Sequence, residues 1–122
     1  MSISFSPFLT ILNQIKVFHW QTKSYSQHKS FDSAYEELSE SIDEFLETYM
    51  GIYERPFSGS GSFVFSIDNY QEDGIIPFID EAKAFLVGLS SDSEVSRNTD
   101  LLNIRDEMLG TLNQLKYLLT LT

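Results

Sequence analysis

A long apolar stripe between Phe31 and Tyr53 constrains the fold of this chain more than any other feature. Its members recur every three or four positions, so at about 100° per residue they fall on one side of a helix. They are Phe31, Ala34, Tyr35, Leu38, Ile42, Phe45, Leu46, Tyr49 and Tyr53. The pattern predicts a helix from about His28 to Tyr53 that packs one side into a core. Arg55 and Pro56 end it, because proline disfavours helix at the preceding residue.

Three further segments carry apolar residues at the same spacing. They predict helices from Pro7 to about Gln21 with Ser6 as the cap, from about Gly74 or Pro77 to Leu89, and from about Ser93 to Leu121. Residues 57–69 interrupt the pattern with a glycine-serine turn and alternating apolar residues, which predicts a loop or a short extended piece. The expected fold is all-α, an up-down four-helix bundle with an irregular middle connection, in which facing helices can hold a metal or cofactor.

Composition limits the class of protein. A chain of 122 residues is expected to form one domain over residues 1–122 and to bury a core without disulfides. The absence of cysteine excludes a thiolate zinc site, an iron–sulfur cluster and a cysteine nucleophile. A net charge of −10 without a Lys/Arg cluster argues against a nucleic-acid partner. Neither a signal peptide nor a membrane span is indicated, so we expect a soluble cytoplasmic protein with no membrane partner.

Acidic residues are concentrated on the second predicted helix. Eight acids and no base lie between Asp32 and Glu54. Those that line one flank of the apolar stripe are Asp32, Glu36, Asp43 and Glu47. Like charges one turn apart destabilise a helix. A bound cation or a basic partner surface would relieve this repulsion, and a solvated acidic face at physiological salt is the alternative that the sequence leaves open.

The two histidines lie beside these acids. His19 falls within the apolar stripe of the first helix, and His28 opens the second helix with Asp32 one turn later. Asp43 and Glu47 form a second pair at the same spacing. At about 1.5 Å per residue this pair is over 20 Å from His28, so the two halves can share an ion only across an oligomer. If the two halves form one site, the protein is a homo-oligomer, at least a dimer.

The order and spacing of these residues resemble the ferroxidase motif of the Dps family, the miniferritins of bacteria. The matching residues are His19, Trp20, His28, Asp32, Asp43 and Glu47. The final helix, from Arg105 to Leu119, is also similar to the last Dps helix, and the chain resembles small Dps-like proteins carried by some bacteriophages. The resemblance implies a ferritin-like fold with iron sites at a two-fold dimer interface. His19 and His28 would come from one subunit, and Asp43 and Glu47 from the other.

The activity that the resemblance implies is oxidation of Fe(II) and sequestration of iron. Its catalytic residues would be His19, His28, Asp43 and Glu47, with Asp32 as a fifth metal ligand. Imidazole nitrogen and carboxylate oxygen suit Fe²⁺ and alternatively Zn²⁺ or Mn²⁺. Trp20 would lie beside the site as packing or as an electron donor. The setting would be the cytoplasm of a bacterial cell or of a phage-infected host.

Two other functions stay open on the sequence. The first is a metal-free ferritin-like oligomer, of viral type, that acts as a structural or binding module. The second is a helical partner-binding protein whose acid row meets a basic surface, with an association that salt weakens.

Overall fold

The computed structural model describes residues 3–121, and within that range no residue lies in a β-strand. The four α-helices are α1 (Ser6–Gln21), α2 (Tyr25–Ile52), α3 (Ile75–Gly88) and α4 (Thr99–Leu118). Two short 3₁₀ turns, Glu72–Gly74 and Leu89–Ser91, flank α3. The predicted all-α class with four helices is therefore confirmed.

The starts of α1 and α2 differ from the prediction because capping is decided by local geometry. Helix α2 begins at Tyr25, ahead of the predicted His28, because the Ser24 hydroxyl accepts a hydrogen bond from the backbone N–H of Gln27 at 3.3 Å. The prediction that Ser6 caps α1 is wrong. Ser6 lies inside the helix, and Phe5 precedes it without a side-chain cap.

The last helix starts later than predicted. Residues 93–97 form turns, and α4 begins at Thr99 rather than at Ser93. The Asp92 carboxylate accepts hydrogen bonds from the backbone N–H groups of Glu94 and Val95, at 2.9 and 3.0 Å. Such a local acceptor stabilises a turn in place of helix.

The connection between α2 and α3 crosses the length of the molecule. Its early part lies at the start of α1, where the rings of Phe5 and Phe63 are 5.7 Å apart. Its later part lies further along α1, where the Gln14 side-chain amide bonds both backbone groups of Asp68 at 2.8 Å. The prediction of a loop or extended piece at 57–69 is confirmed. The turn in it requires glycine at Gly61, whose φ is +92°.

Because of this crossover, α3 runs in the same direction as α2. The ring of Phe18, late in α1, packs on that of Phe78, early in α3, at 5.6 Å. The ring of Phe8, early in α1, packs on that of Phe85, late in α3, at 5.3 Å. Helices α1 and α3 are therefore antiparallel, so the chain runs up, down, down and up rather than alternating strictly.

The core lies between the four helices, with α2 packed against both α1 and α4. Its largest fully buried side chains are Tyr49, Phe8, Phe31, Phe45, Ile15, Leu38, Ile79, Leu86, Leu101, Met108, Leu112 and Leu115. Four of these side chains, Phe31, Leu38, Phe45 and Tyr49, belong to the predicted apolar stripe of α2. Their burial explains why the apolar pattern of this helix is so clear in the sequence. Within residues 3–121, no helix combines the length and apolarity needed to cross a membrane.

Candidate metal site

The two histidines meet where α1 ends and α2 begins. His19 lies in the last turn of α1 and His28 in the first turn of α2. Their rings stack, with centroids 3.9 Å apart and planes inclined by 19°. His19 is only 8% exposed, which confirms its predicted inward position, and His28 is half-buried.

Reciprocal hydrogen bonds fix this pair. The Nδ1 atom of His19 is 2.8 Å from the carbonyl oxygen of His28, and the Nδ1 atom of His28 is 2.9 Å from the carbonyl oxygen of His19. A carbonyl oxygen only accepts, so each Nδ1 carries the proton. In each neutral ring Nε2 then keeps the lone pair, which is the arrangement found in metal-binding histidines held by a backbone carbonyl.

The second bond also has a structural role. The carbonyl of His19 belongs to the last turn of α1, whose carbonyls have no partner further along the helix. The His28 imidazole supplies a donor there and ties the end of α1 to the start of α2. The pair therefore stabilises the helix junction and at the same time orients two potential ligands.

Asp32 is the candidate ligand nearest to this pair. It lies one turn after His28, and its Oδ1 atom is 4.0 Å from Nε2 of His19. Two ligands held at about 2.1 Å from one ion can span that separation. Of the candidate ligands, the structure therefore places the rings of His19 and His28 against each other and one carboxylate oxygen of Asp32 near the ring of His19.

Asp43 and Glu47 lie apart from this group. Both are exposed in the second half of α2. Within residues 3–121 of one chain, no group of three or more His, Asp or Glu side chains is placed to hold a metal. The pair Asp43 and Glu47 is therefore separate from the histidine pair in a single copy.

The remaining acids of α2 lie in a different place. A groove of about 330 Å³ between α2 and α4 is lined by Glu37, Glu40, Ser41, Glu44, Glu107 and Thr111. The histidines lie between α1 and α2, so this groove is not part of their site. Glu36 is exposed on α2.

Exposed aromatic side chains and one lysine lie on α1 and α2 outside the core. Trp20 is 67% exposed and Tyr25 is 75% exposed, so neither belongs to the core of this chain. The Nζ atom of Lys16 lies 4.6 Å from the ring centroid of Tyr35 and 5.8 Å from that of Trp20. Lys16 is not among the candidate residues that the sequence predicts, although it lies one turn before Trp20.

Comparisons with known proteins extend this description. No solved structure matches the chain. A protein of Enterobacteria phage T4, described as "Uncharacterized 14.6 kDa protein in mobD-ri intergenic region", is 43% identical over 42 residues. That match covers 34% of this chain and 33% of the phage protein, so the chain spans about a third of the length of this relative. A family of unknown function, DUF5856, matches residues 19–119, a range that contains all five candidate ligands, and the chain belongs to this family.

Proposed function

We propose that this protein is a ferritin-like, Dps-like iron-binding protein whose metal site forms between two copies. His19, His28 and Asp32 of one copy and Asp43 and Glu47 of the other are the ligands. The observation that carries the proposal is the pair of reciprocal hydrogen bonds, which favours the tautomer with the proton on Nδ1 in each ring and leaves both Nε2 atoms for a metal. Fe²⁺ is the proposed ion, and the same donors suit Zn²⁺ or Mn²⁺.

The positions of the ligands along α2 support a two-fold arrangement. The midpoint between His28 and Glu47 and the midpoint between Asp32 and Asp43 coincide, between Glu37 and Leu38. A single two-fold axis at that level, with the two α2 helices antiparallel, brings both pairs to the same height. Each dimer then contains two equivalent sites.

The topology also supports the proposal. Ferritin-like bundles have one long crossover connection among otherwise short links. Here the α2–α3 connection is the long one, and it lies against α1 through Gln14 and Gln21.

Iron would be the substrate of this site. Each Fe²⁺ would lose one electron to dioxygen or peroxide, and the ferric product would be sequestered. The protein's part is to hold the ions with neutral imidazole and charged carboxylate, the donor set that leaves coordination positions open. The similarity to a phage T4 protein supports the cytoplasm of a bacterium or phage-infected host as its place.

The test is an anaerobic Fe²⁺ titration of the purified protein and of His19→Ala and Asp43→Ala variants. We expect stoichiometric binding that both variants abolish. Glu44→Ala is the matched control, because this neighbouring acid lines the groove toward α4. An equal mixture of the two inactive variants should recover part of the binding, since a mixed dimer contains one intact site. Absence of binding by the wild type, or no recovery in the mixture, would overturn the inter-subunit site.

A metal-free oligomeric module is the second candidate, and one observation favours it. The crossover exposes apolar side chains, with Phe57 and Val64 each 83% accessible. Exposed apolar residues on a loop are typical of contact surfaces. A protein that assembles but binds no Fe²⁺, Zn²⁺ or Mn²⁺ would support this function instead.

A further inference from the structure

Charge is divided sharply along the first half of this chain. Residues 1–31 hold three lysines and no acid, whereas residues 32–54 hold eight acids and no base. None of Lys16, Lys23 and Lys29 forms an ion pair with a carboxylate in the described part of the chain. Basic and acidic surfaces therefore lie next to each other on one helix pair without neutralising each other.

Lys29 and Glu47 carry opposite charges and lie near opposite ends of α2. They are 18 residues apart, about five full turns, so they lie on the same side of α2. Both are exposed, and the residue one turn before Glu47 is another acid, Asp43. About 27 Å of helix separates them, so they cannot meet within one chain.

We propose that Lys29 of each copy pairs with Glu47 of a second copy, so that two copies dock through this face of α2 before any metal binds. The pairing rests on the proposed function, because it uses the same two-fold axis. The midpoint of Lys29 and Glu47 is Leu38, next to the axis inferred from the candidate ligands. A two-fold axis makes each contact twice, which doubles the contribution of the pair.

An apolar contact fits the same axis. The midpoint between Tyr25 and Met50 along α2 also falls between Glu37 and Leu38. At about 100° per residue, both residues lie on the same side of α2 as Lys29. Tyr25 is 75% exposed and Met50 is half-buried. Tyrosine and methionine are enriched in protein interfaces. The face therefore offers an exposed aromatic residue at one end and a thioether at the other, in the order that a second, antiparallel copy matches.

A second copy fits this surface better than a general basic partner. A cationic protein or peptide would meet the acids but would be repelled by Lys29, which lies at one end of the acidic row. A second copy matches both signs in one orientation. The net charge of −10 opposes association at long range, and about 0.15 M salt screens this repulsion beyond about 8 Å while leaving contact pairs effective.

The test measures the mass of protein freed of metal by EDTA, using sedimentation velocity in about 0.15 M salt. We expect the wild type to be dimeric. Lys29→Glu and Glu47→Lys should each raise the dissociation constant at least about tenfold, because like charges then face each other twice. An equal mixture of the two variants, and the double variant K29E/E47K, should both recover the dimer. Since the two positions are about 27 Å apart in one chain, such recovery can arise only between chains.

Lys83→Glu and Glu81→Lys on α3 are the matched controls, with the same changes of charge outside this face, and they should leave the mass unchanged. A monomeric wild type in EDTA, or a double variant as dissociated as the single ones, would overturn the pairing. The outcomes separate the two proposals. A dimer that obeys the charge swap but binds no iron overturns only the proposed function, whereas iron-dependent assembly that Lys29→Glu leaves unchanged overturns only the pairing.

Discussion

At both ends of helix α2, ring side chains form hydrogen bonds to neighbouring elements. The two ends differ in which ring atoms remain available to bind a ligand. At its start, His28 and His19 each use one nitrogen to bond the other's backbone carbonyl. At its end, the Tyr49 hydroxyl donates to the Glu94 carboxylate at 2.7 Å and accepts from the backbone N–H of Ile3 at 3.3 Å.

This difference explains why the start of α2, and not its end, is a candidate site. An imidazole has two nitrogen atoms, so anchoring one to the backbone leaves the other for a ligand. A phenol has a single oxygen, and at Tyr49 that oxygen is already engaged by both partners. The histidine end can combine structure with chemistry, whereas the tyrosine end contributes structure.

The largest effect on stability is expected at the tyrosine end. Tyr49 is fully buried, and Tyr49→Ala should lower the free energy of unfolding by about 4 kcal/mol, because it leaves a cavity and removes the hydroxyl. Urea denaturation measures the loss. Tyr117→Ala is the control, since Tyr117 is 62% exposed, and it should change stability by no more than about 0.5 kcal/mol. Equal losses for the two variants would contradict the structural role of Tyr49.

The double variant His19→Ala with His28→Ala should destabilise the fold less than Tyr49→Ala does, but it should abolish metal binding. Removing the two reciprocal hydrogen bonds should cost about 2 kcal/mol. Under the proposed function, Fe²⁺ binding should also be lost, which an anaerobic titration of the folded variant measures. Retention of full metal binding would show that the rings serve the fold alone.

His28→Asn separates the two roles of the ring. The asparagine side-chain N–H can replace Nδ1 as the donor to the His19 carbonyl, but it offers no second nitrogen. We expect stability within about 0.5 kcal/mol of the wild type together with loss of Fe²⁺ binding. Unfolding curves and metal titration on the same preparation decide the matter, and a variant that loses stability but keeps its metal would reverse the assignment.

The smallest effect is expected at an exposed ion pair between α3 and α4. The Lys116 ammonium donates a hydrogen bond to Asp80 at 2.9 Å and lowers the pKa of that carboxyl below its ordinary value. The pair therefore stabilises the fold at pH values above the ordinary pKa of aspartate, and this contribution is lost as the pH falls through the lowered pKa. In Lys116→Met the Asp80 pKa should return toward the ordinary value, as an NMR titration of the carboxyl would show. An unchanged pKa would contradict this cause.

Much of the fold could be predicted because it depends on local periodicity. The stripe of α2 lies in the core as expected, from Phe31 to Tyr49, since a helix with one apolar side has only one way to bury it. The helix starts were less predictable. Ser24 caps α2, and Asp92 stabilises a turn ahead of α4. Several other serines and acids near each boundary could have capped a helix or stabilised a turn in the same way.

The anchoring of the crossover could not be predicted. Gln14 lies on the first helix and Asp68 on a segment without periodicity, and their hydrogen bonds join positions 54 residues apart. Arg105 is a similar case. It is buried and donates to the carbonyl of Leu86 near the end of α3 at 2.8 Å, although nothing in its neighbouring sequence distinguishes it from a surface arginine.

The sequence by itself determined the helical class, the inward position of His19 and the separation of His28 and Asp32 from Asp43 and Glu47 along α2, because helical geometry converts residue spacing directly into direction and distance. The tertiary structure alone decided the stacking of His19 on His28, the proton on each Nδ1 and the course of the crossover. These depend on the packing of one helix end against another, and contacts between distant parts of a chain leave no periodic signal in its sequence.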